Sequence, residues 1–468
     1  MEQTNGELKD RVYYMLSFPY GKAGGRQTRR WPTFVIAMAA AAFAWLCTAA
    51  APTLPAAMAD DSSSEWGGHI RVIGALSNPD DTSIYQFADT GTLFDRQGEV
   101  RIKYQRFMGS QWIFEAHYEL VGRQGDTLQN NNRLRAILPA ETAARLTSKQ
   151  GIDDDRRLMN LTHALGDGED YLLFHRLDRF NLTFQTPSAT FRAGRQALTW
   201  GNGLLFNPMD LFNPFAPTTI QRDYKVGDDM FHVQLPVRTG EVQLLYLPRR
   251  NPLTGDIDTD QSSLAGKWHF PLAGMEFDLM AARHYDDLVL GAGATGYIGG
   301  AAWRTDVVYT LADEDADISA YWQIVANMDY AWQWGGRNLY GLVEFYYNGL
   351  NRHDDYTAAL SDPAVSGKIN RGELYTLGET YLAGQLGIEL HPLVQLRLIA
   401  IVNIGDPSTL VQPQLAWDVA QDLQLVLGAE FGWGGDASEF GGFDVPVGIT
   451  TVKVAPTNNR YLWLTYYF

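Results

Sequence analysis

The chain has 468 residues, with 37 Lys+Arg against 54 Asp+Glu, a formal net charge of −17, 12% aromatic residues, 45 Gly and a single Cys. The acidic balance excludes a chain built to bind nucleic acid, which needs a basic face. One Cys excludes a disulfide framework and a multi-cysteine zinc site, and the aromatic content excludes a mostly disordered chain.

Residues 1–59 read as an export signal with an extended n-region. Lys22, Arg26, Arg29 and Arg30 form its basic part, Thr33 to Ala50 its apolar part, and Ala57-Met58-Ala59 a small-x-small cleavage site. A membrane anchor helix is the competing reading. The weak hydrophobicity of the Ala-rich run, with Pro52 and Pro55 after it, argues against that. Cys47 lies in this segment, so a chain cut after Ala59 carries no cysteine.

Beyond residue 59 no apolar run reaches the ~18 residues of a membrane helix. Alternation of apolar and polar residues recurs instead, in segments of about ten residues separated by Gly, Pro, Asn and Asp. Trp112, Phe114, Ala116, Tyr118 and Leu120 alternate with Glu115, His117 and Glu119. Leu423, Leu425, Leu427, Ala429, Phe431 and Trp433 stand opposite Gln424 and Glu430. This pattern predicts strands at 66–76, 98–108, 111–122, 171–185, 188–198, 226–236, 240–248, 262–270, 273–284, 286–294, 298–311, 317–333, 337–348, 376–389, 393–403, 409–419, 422–433 and 458–468. About 18 strands with apolar and polar faces are the pattern of an all-β transmembrane antiparallel barrel of about 16–18 strands, occupying 60–468. The connections agree. Those after even-numbered strands are short, and the long ones, among them 123–170, 199–225, 349–375 and 434–457, follow odd-numbered strands. This places both termini on the side of the short turns.

The chain ends Arg460-Tyr461-Leu462-Trp463-Leu464-Thr465-Tyr466-Tyr467-Phe468. Leu462, Leu464, Tyr466 and Phe468 share one face, and the last residue is aromatic. The segment resembles the C-terminal strand of bacterial outer-membrane barrels. The resemblance implies recognition by the barrel-assembly machinery, a location in the bacterial outer membrane, and outer-membrane lipid and lipopolysaccharide as neighbours.

The stretch 191–229 is the distinctive one. Phe206-Asn207-Pro208 recurs as Phe212-Asn213-Pro214 with Asp210 between the copies, and the run then turns charged through Arg222 and Asp223. An outward loop in water should not be this rich in Phe, Leu and Met, so it is expected to fold inward and narrow a pore. A compact turn packed on the rim is the alternative. Gly194-Arg195-Gln196, followed by Trp200-Gly201, resembles a run in several outer-membrane porin-like families, including alginate-export-type barrels. That resemblance implies only the fold and a transport role.

The side-chain parity of the strands puts Arg101, Lys103, Arg179, Asp329 and Arg397 on lumen faces, together with Glu115, Glu119, Asp278, Asp306 and Glu344. Arg192 and Arg195 share that face only if Gly194 forms a bulge. Arg101, Lys103, Arg179, Arg192, Arg195, Asp210, Arg222, Asp223, Asp329 and Arg397 are thus the expected pore and constriction residues. Arg176 and Asp178 fall on the lipid face by the same count, which is costly at mid-bilayer. Residues 133–138 and 143–146 suggest a short helix. No enzyme motif, catalytic residue, metal site or cofactor is expected. The expected function is diffusion of small polar solutes. A conduit for a polymer or a periplasmic electron-transfer partner, and a barrel with enzymatic or adhesive outer loops, are the alternatives. A homo-oligomer is left open as a partner, and nothing in the sequence marks its face.

Overall fold

Why the alternating segments become strands is visible in how they bury. On β1 (Ser62–Asn78) the inward Arg71 and Ile73 are buried, while the outward Val72 and Leu76 are exposed. The computed structural model describes residues 62–80, 83, 91–137, 154–214, 224–312, 319–351, 355–447, 450–456 and 458–468. The expected leader 1–59, Arg222, Asp223 and the helix expected at 143–146 lie outside the described residues.

The remaining elements follow in chain order: β2 (Leu93–Met108), β3 (Trp112–Gly125), α1 (Asp126–Ile137), β4 (Thr162–Asp167), β5 (Tyr171–Thr186), β6 (Ala189–Gln196), β7 (Asp228–Val237), β8 (Gly240–Arg250), β9 (Ile257–Leu272), β10 (Met275–His284), β11 (Asp287–Ile298), β12 (Ala301–Leu311), β13 (Ala320–Trp334), β14 (Arg337–Asn348), α2 (Tyr356–Ser361), α3 (Pro363–Arg371), β15 (Thr380–His391), β16 (Val394–Asn403), β17 (Ser408–Ala420), β18 (Leu423–Trp433), β19 (Phe443–Val447), β20 (Thr450–Val454) and β21 (Asn458–Tyr467). Each strand pairs antiparallel with its neighbour. The ladder of β1 with β21, from His69↔Tyr467 to Asn78↔Asn458, closes the sheet. Gly68 and Phe468 extend it by exchanging backbone hydrogen bonds of 2.8 and 3.1 Å. Closure removes the free edges that lipid could not satisfy.

The wall has eighteen strands, and β4 adds a nineteenth to the same sheet by pairing with the upper part of β5. All eighteen predicted strands correspond to wall strands, with ends displaced by a few residues. The short turns gather at one end. Gly299-Gly300 and Gly335-Gly336 make two-residue turns in which every φ is positive, 57°, 89°, 58° and 73°. That geometry suits the twist of a hairpin and is why glycine stands there. The long connections at the other end carry α1, α2, α3 and the β19–β20 hairpin.

The outer surface is apolar. Leu244, Leu279, Leu290, Val343, Leu382, Leu398, Leu427 and Leu464 form its exposed middle. Trp66, Tyr297 and Trp334, at 70, 76 and 76% exposure, stand near the short-turn end, and Tyr171, Trp322 and Trp433 near the other. A belt of aliphatic residues between aromatic rims is what a lipid bilayer solvates.

One expectation about register needs correction. Arg176 and Asp178 are not on the lipid face. The β3–β5 ladder pairs Tyr118 with Leu177 and His117 with Arg179, so Asp178 is an extra residue on β5. This bulge reverses the parity. Arg176 and Asp178 therefore face inward above it, and Arg179, Asn181 and Thr183 below it, all of them buried.

Val343 is 58% exposed on the middle of β14, beside Met328 across the ladder. Val343→Arg should cost about 2–4 kcal/mol in a denaturant titration of the barrel folded into lipid vesicles. A loss indistinguishable from zero would contradict a lipid-facing position at mid-depth.

Candidate functional site

The connection between β6 and β7 does not project outward. Gly194 and Gly201 have φ of 119° and 87°, which a side chain would strain. Between them the chain leaves the wall and enters the barrel. The inner faces of the opposite strands are apolar enough to receive it. Trp200, Met209 and Phe212 are buried with Met230, Leu245, Leu247, Met280, Ala282, Val289 and Val308. Phe206 packs with Val325, Tyr381, Ile399, Ile401 and Leu410, and lies parallel to Tyr346 with ring centres 4.4 Å apart. These wall residues alternate with lipid-facing ones, as buried Leu245 does with exposed Leu244 and Tyr246. The apolar residues that disqualify the segment as a solvated loop are thus its seat in the lumen.

Polar contacts fix its position. The backbone N–H groups of Leu204, Leu205 and Phe206 donate to the carboxyl oxygens of Glu344 at 2.8, 3.0 and 2.6 Å. Asn202 donates to Asp306 from its backbone at 2.6 Å and its side chain at 2.7 Å. Trp200 Nε1 donates to Gln243 at 2.7 Å, and Asn327 donates to Asn202 O at 3.2 Å. A buried carboxyl group is costly without partners, so the loop amides satisfy the wall as much as the wall satisfies the loop.

The returning stem is fastened to the other side of the barrel. The Arg101 guanidinium lies 3.6 Å from the centre of the Tyr224 ring, and the Tyr224 hydroxyl donates to Glu99 at 2.7 Å. Arg179 donates to Lys225 O at 2.5 Å, and Gly227 N–H donates to Asp178 at 3.1 Å. Arg101 itself pairs with Glu119 and Asp178, and Arg176 with Glu119. Lys225 joins the two halves of the loop through Asp210 at 2.5 Å and Leu198 O at 2.5 Å. The described parts of the loop therefore bridge β2–β5 on one side and β7–β17 on the other.

The predicted pore residues fall into distinct places. Arg101, Arg179 and Asp210 belong to this bridge. Arg192 is on the inner face, bonded to Thr183 at 3.0 Å. Arg195 does not stand beside it. No register shift occurs at Gly194, and Arg195 is enclosed by Asp229 of β7, Asp154 and the Met159 carbonyl. It clamps the 154–159 segment to the wall, out of reach of a solute. Nearer the short turns, Asp329 pairs with Arg304, while Lys103 and Arg397 are exposed on inner-face positions. Leu462, Leu464 and Phe468 are exposed on the outer face of β21, and Tyr461 and Trp463 are buried on its inner face.

Two features lay beyond sequence reasoning. Glu344 and Asp306 are legible as lumen carboxylates, but their loop partners are over a hundred residues away. The segment 434–442 also turns inward. Glu439 accepts from Leu377 N at 2.7 Å, Tyr381 Oη at 2.5 Å and Asn403 Nδ2 at 2.8 Å. Burial pushes its carboxyl above the ordinary range. The signal was present as a lone Glu between Gly434-Gly435 and Gly441-Gly442. Around α3, burial would raise Glu373, but Arg371, His284 and Lys368 hold it well below the usual carboxylate range.

No protein-family model and no curated sequence matches the chain. Among solved structures it is similar to Acinetobacter baumannii OccAB1, with 10% identity, 87% of this chain and 97% of that chain covered, and a TM-score of 0.46. It is also similar to Pseudomonas aeruginosa OccK2 (OpdF), solved in complex with glucuronate, with 8% identity, coverage of 87% and 98%, and a TM-score of 0.47. For a BenF-like porin from Pseudomonas fluorescens Pf-5 the values are 8%, 87% and 98%, and 0.45. The barrel assignment rests on this chain's own closed ladder, and the functional reading on its own lumen.

Burial pushes the Asp210 carboxyl from its ordinary 3.8 up to about 6, against the pull of Lys225. A carboxyl raised in the docked loop binds its proton more tightly there than when released. The stability it contributes is complete below 3.8 and is lost as pH rises through about 6. Proteolysis of the loop in the folded barrel should be slower near about pH 5 than near about pH 7.5, and Asp210→Asn should flatten the difference. The same pH slope in the variant would contradict this.

Proposed function

We propose that the chain is a channel of the bacterial outer membrane through which small polar solutes diffuse, with the loop 199–225 as its constriction. The observation that carries the reading is the attachment of this loop to both sides of the lumen. Eighteen strands enclose more space than wall side chains fill, and a loop tied to one side alone would leave that space open. The bridge divides it.

Selectivity belongs to the two faces of the bridge. On the stem side, Arg101, Arg176 and Arg179 are matched by Glu119 and Asp178, so the wall presents paired charge. Toward the short turns, Lys267 meets Asp278 at 3.3 Å and Arg304 meets Asp329, with Lys103 and Arg397 exposed nearby in the lower lumen. These pairs join neighbouring strands of one wall, and the charges lining a pore set which polar solutes pass. In this reading residues 1–59 are a cleaved leader, the outer face of β21 is the assembly signal, and lipid and lipopolysaccharide surround the barrel. The chain acts by passage and performs no covalent chemistry.

Single-channel recording of the purified chain in a planar bilayer tests the proposal. A steady conductance is expected, rising severalfold when residues 203–222 are deleted. Absence of conductance in both forms would overturn the channel reading in favour of a plugged barrel.

A further inference from the structure

Resting on the channel reading, we infer that a cavity on the outer side of the bridge is a binding subsite for a small neutral polyol. The cavity, of ≈ 70 Å³, lies between loop residues such as Phe206 and Leu211, the inner faces of β11–β14, and the segment that follows α3. By the space one water needs, it holds about five waters or a solute of similar bulk.

The polar groups around it are of two kinds. The charged ones are matched. Lys368 meets Asp287 at 2.6 Å, Arg371 meets Glu373 at 2.7 Å, and Asp210 meets Lys225 at 2.5 Å. An ionic solute entering here would lose its hydration and find no charge left to answer it. The neutral groups retain capacity. Asn348 is fully buried on β14, and its Oδ1 accepts from Leu350 N at 3.2 Å, which fixes the orientation of the amide. Its Nδ2 has no partner among the described residues. A buried donor left unsatisfied costs about 1–3 kcal/mol, and a bound hydroxyl oxygen removes that cost.

Gln323 stands directly across the ladder from Asn348, and its amide N–H donates to Tyr346 Oη at 3.0 Å. That leaves the Gln323 carbonyl to accept and the Tyr346 hydroxyl to donate. Thr310, on the next strand, adds a hydroxyl to the same lining. Fixed donor, fixed acceptor and rotating hydroxyls on a wall backed by Phe206 and Leu211 match a short carbon chain carrying adjacent hydroxyls. They do not match a carboxylate.

Saturation-transfer NMR on the full chain in detergent, with glycerol as the neutral probe and lactate as an anion of similar size, tests this. Glycerol should bind, lactate should bind more weakly, and Asn348→Asp, which replaces the free donor with an acceptor, should weaken glycerol about tenfold. If that variant does not fold, judged by heat-modifiable migration, Asn348→Ala, which also removes the donor, gives the same reading. No glycerol binding, lactate binding as tight as glycerol, or an unchanged Asn348 variant would overturn the subsite. The two readings fail separately. A conducting channel that binds no glycerol removes only the subsite, and a non-conducting barrel that binds it in this Asn348-dependent way removes only the channel.

Discussion

Glu344 stands on the inner face of β14 with no ion pair among the described residues, and three consecutive loop amides point at its two oxygens. Neither side of this contact is tolerable alone. A carboxyl group without partners inside the barrel carries a desolvation cost of several kcal/mol, and the buried Phe206 amide without an acceptor adds to it. Together each bond is of the charge-assisted kind, about 1.5–3 kcal/mol. The loop's apolar residues supply area but little direction. The carboxyl supplies register, because only one stretch of backbone presents three amides to it. The stacking of Phe206 on Tyr346, and with it the cavity beside Asn348, depends on that register.

The opposite side of the bridge works by a different principle. There the wall offers guanidinium groups and the stem offers a ring and a carbonyl: Tyr224 for Arg101, Lys225 O for Arg179. The bulge at Asp178 makes this arrangement available. In an unbroken register Arg176 and Asp178 would face lipid, and the Gly227 amide would lose its acceptor. This irregularity in the ladder thus converts two costly lipid-facing charges into the anchor of the inward loop.

Period-two alternation, glycine turns and the alternation of short and long connections made the barrel legible strand by strand, because a wall solvated by lipid outside and polar groups inside writes its geometry into every other residue. The loop's entry into the lumen was legible from its apolar content. The bulge was not, because an inserted residue leaves no mark in composition; it surfaced only as a contradiction at Arg176 and Asp178. Arg195 was misplaced for a related reason. Parity cannot see the 154–159 segment that encloses it. Glu344, Asp306 and Glu439 depend on contacts between distant parts of the chain, and α2 and α3 lie in a connection whose sequence carries no helical stripe long enough to read.

Hydrogen exchange read by mass spectrometry on the folded barrel, in peptides covering residues 203–207, addresses the central contact most directly. The amides of Leu204, Leu205 and Phe206 should exchange as slowly as wall amides in the native chain, and as fast as an open loop in Glu344→Ala, with the wall strands unchanged. Fast exchange at these three amides in the native chain, or protection that survives removal of the Glu344 carboxyl, would contradict the account.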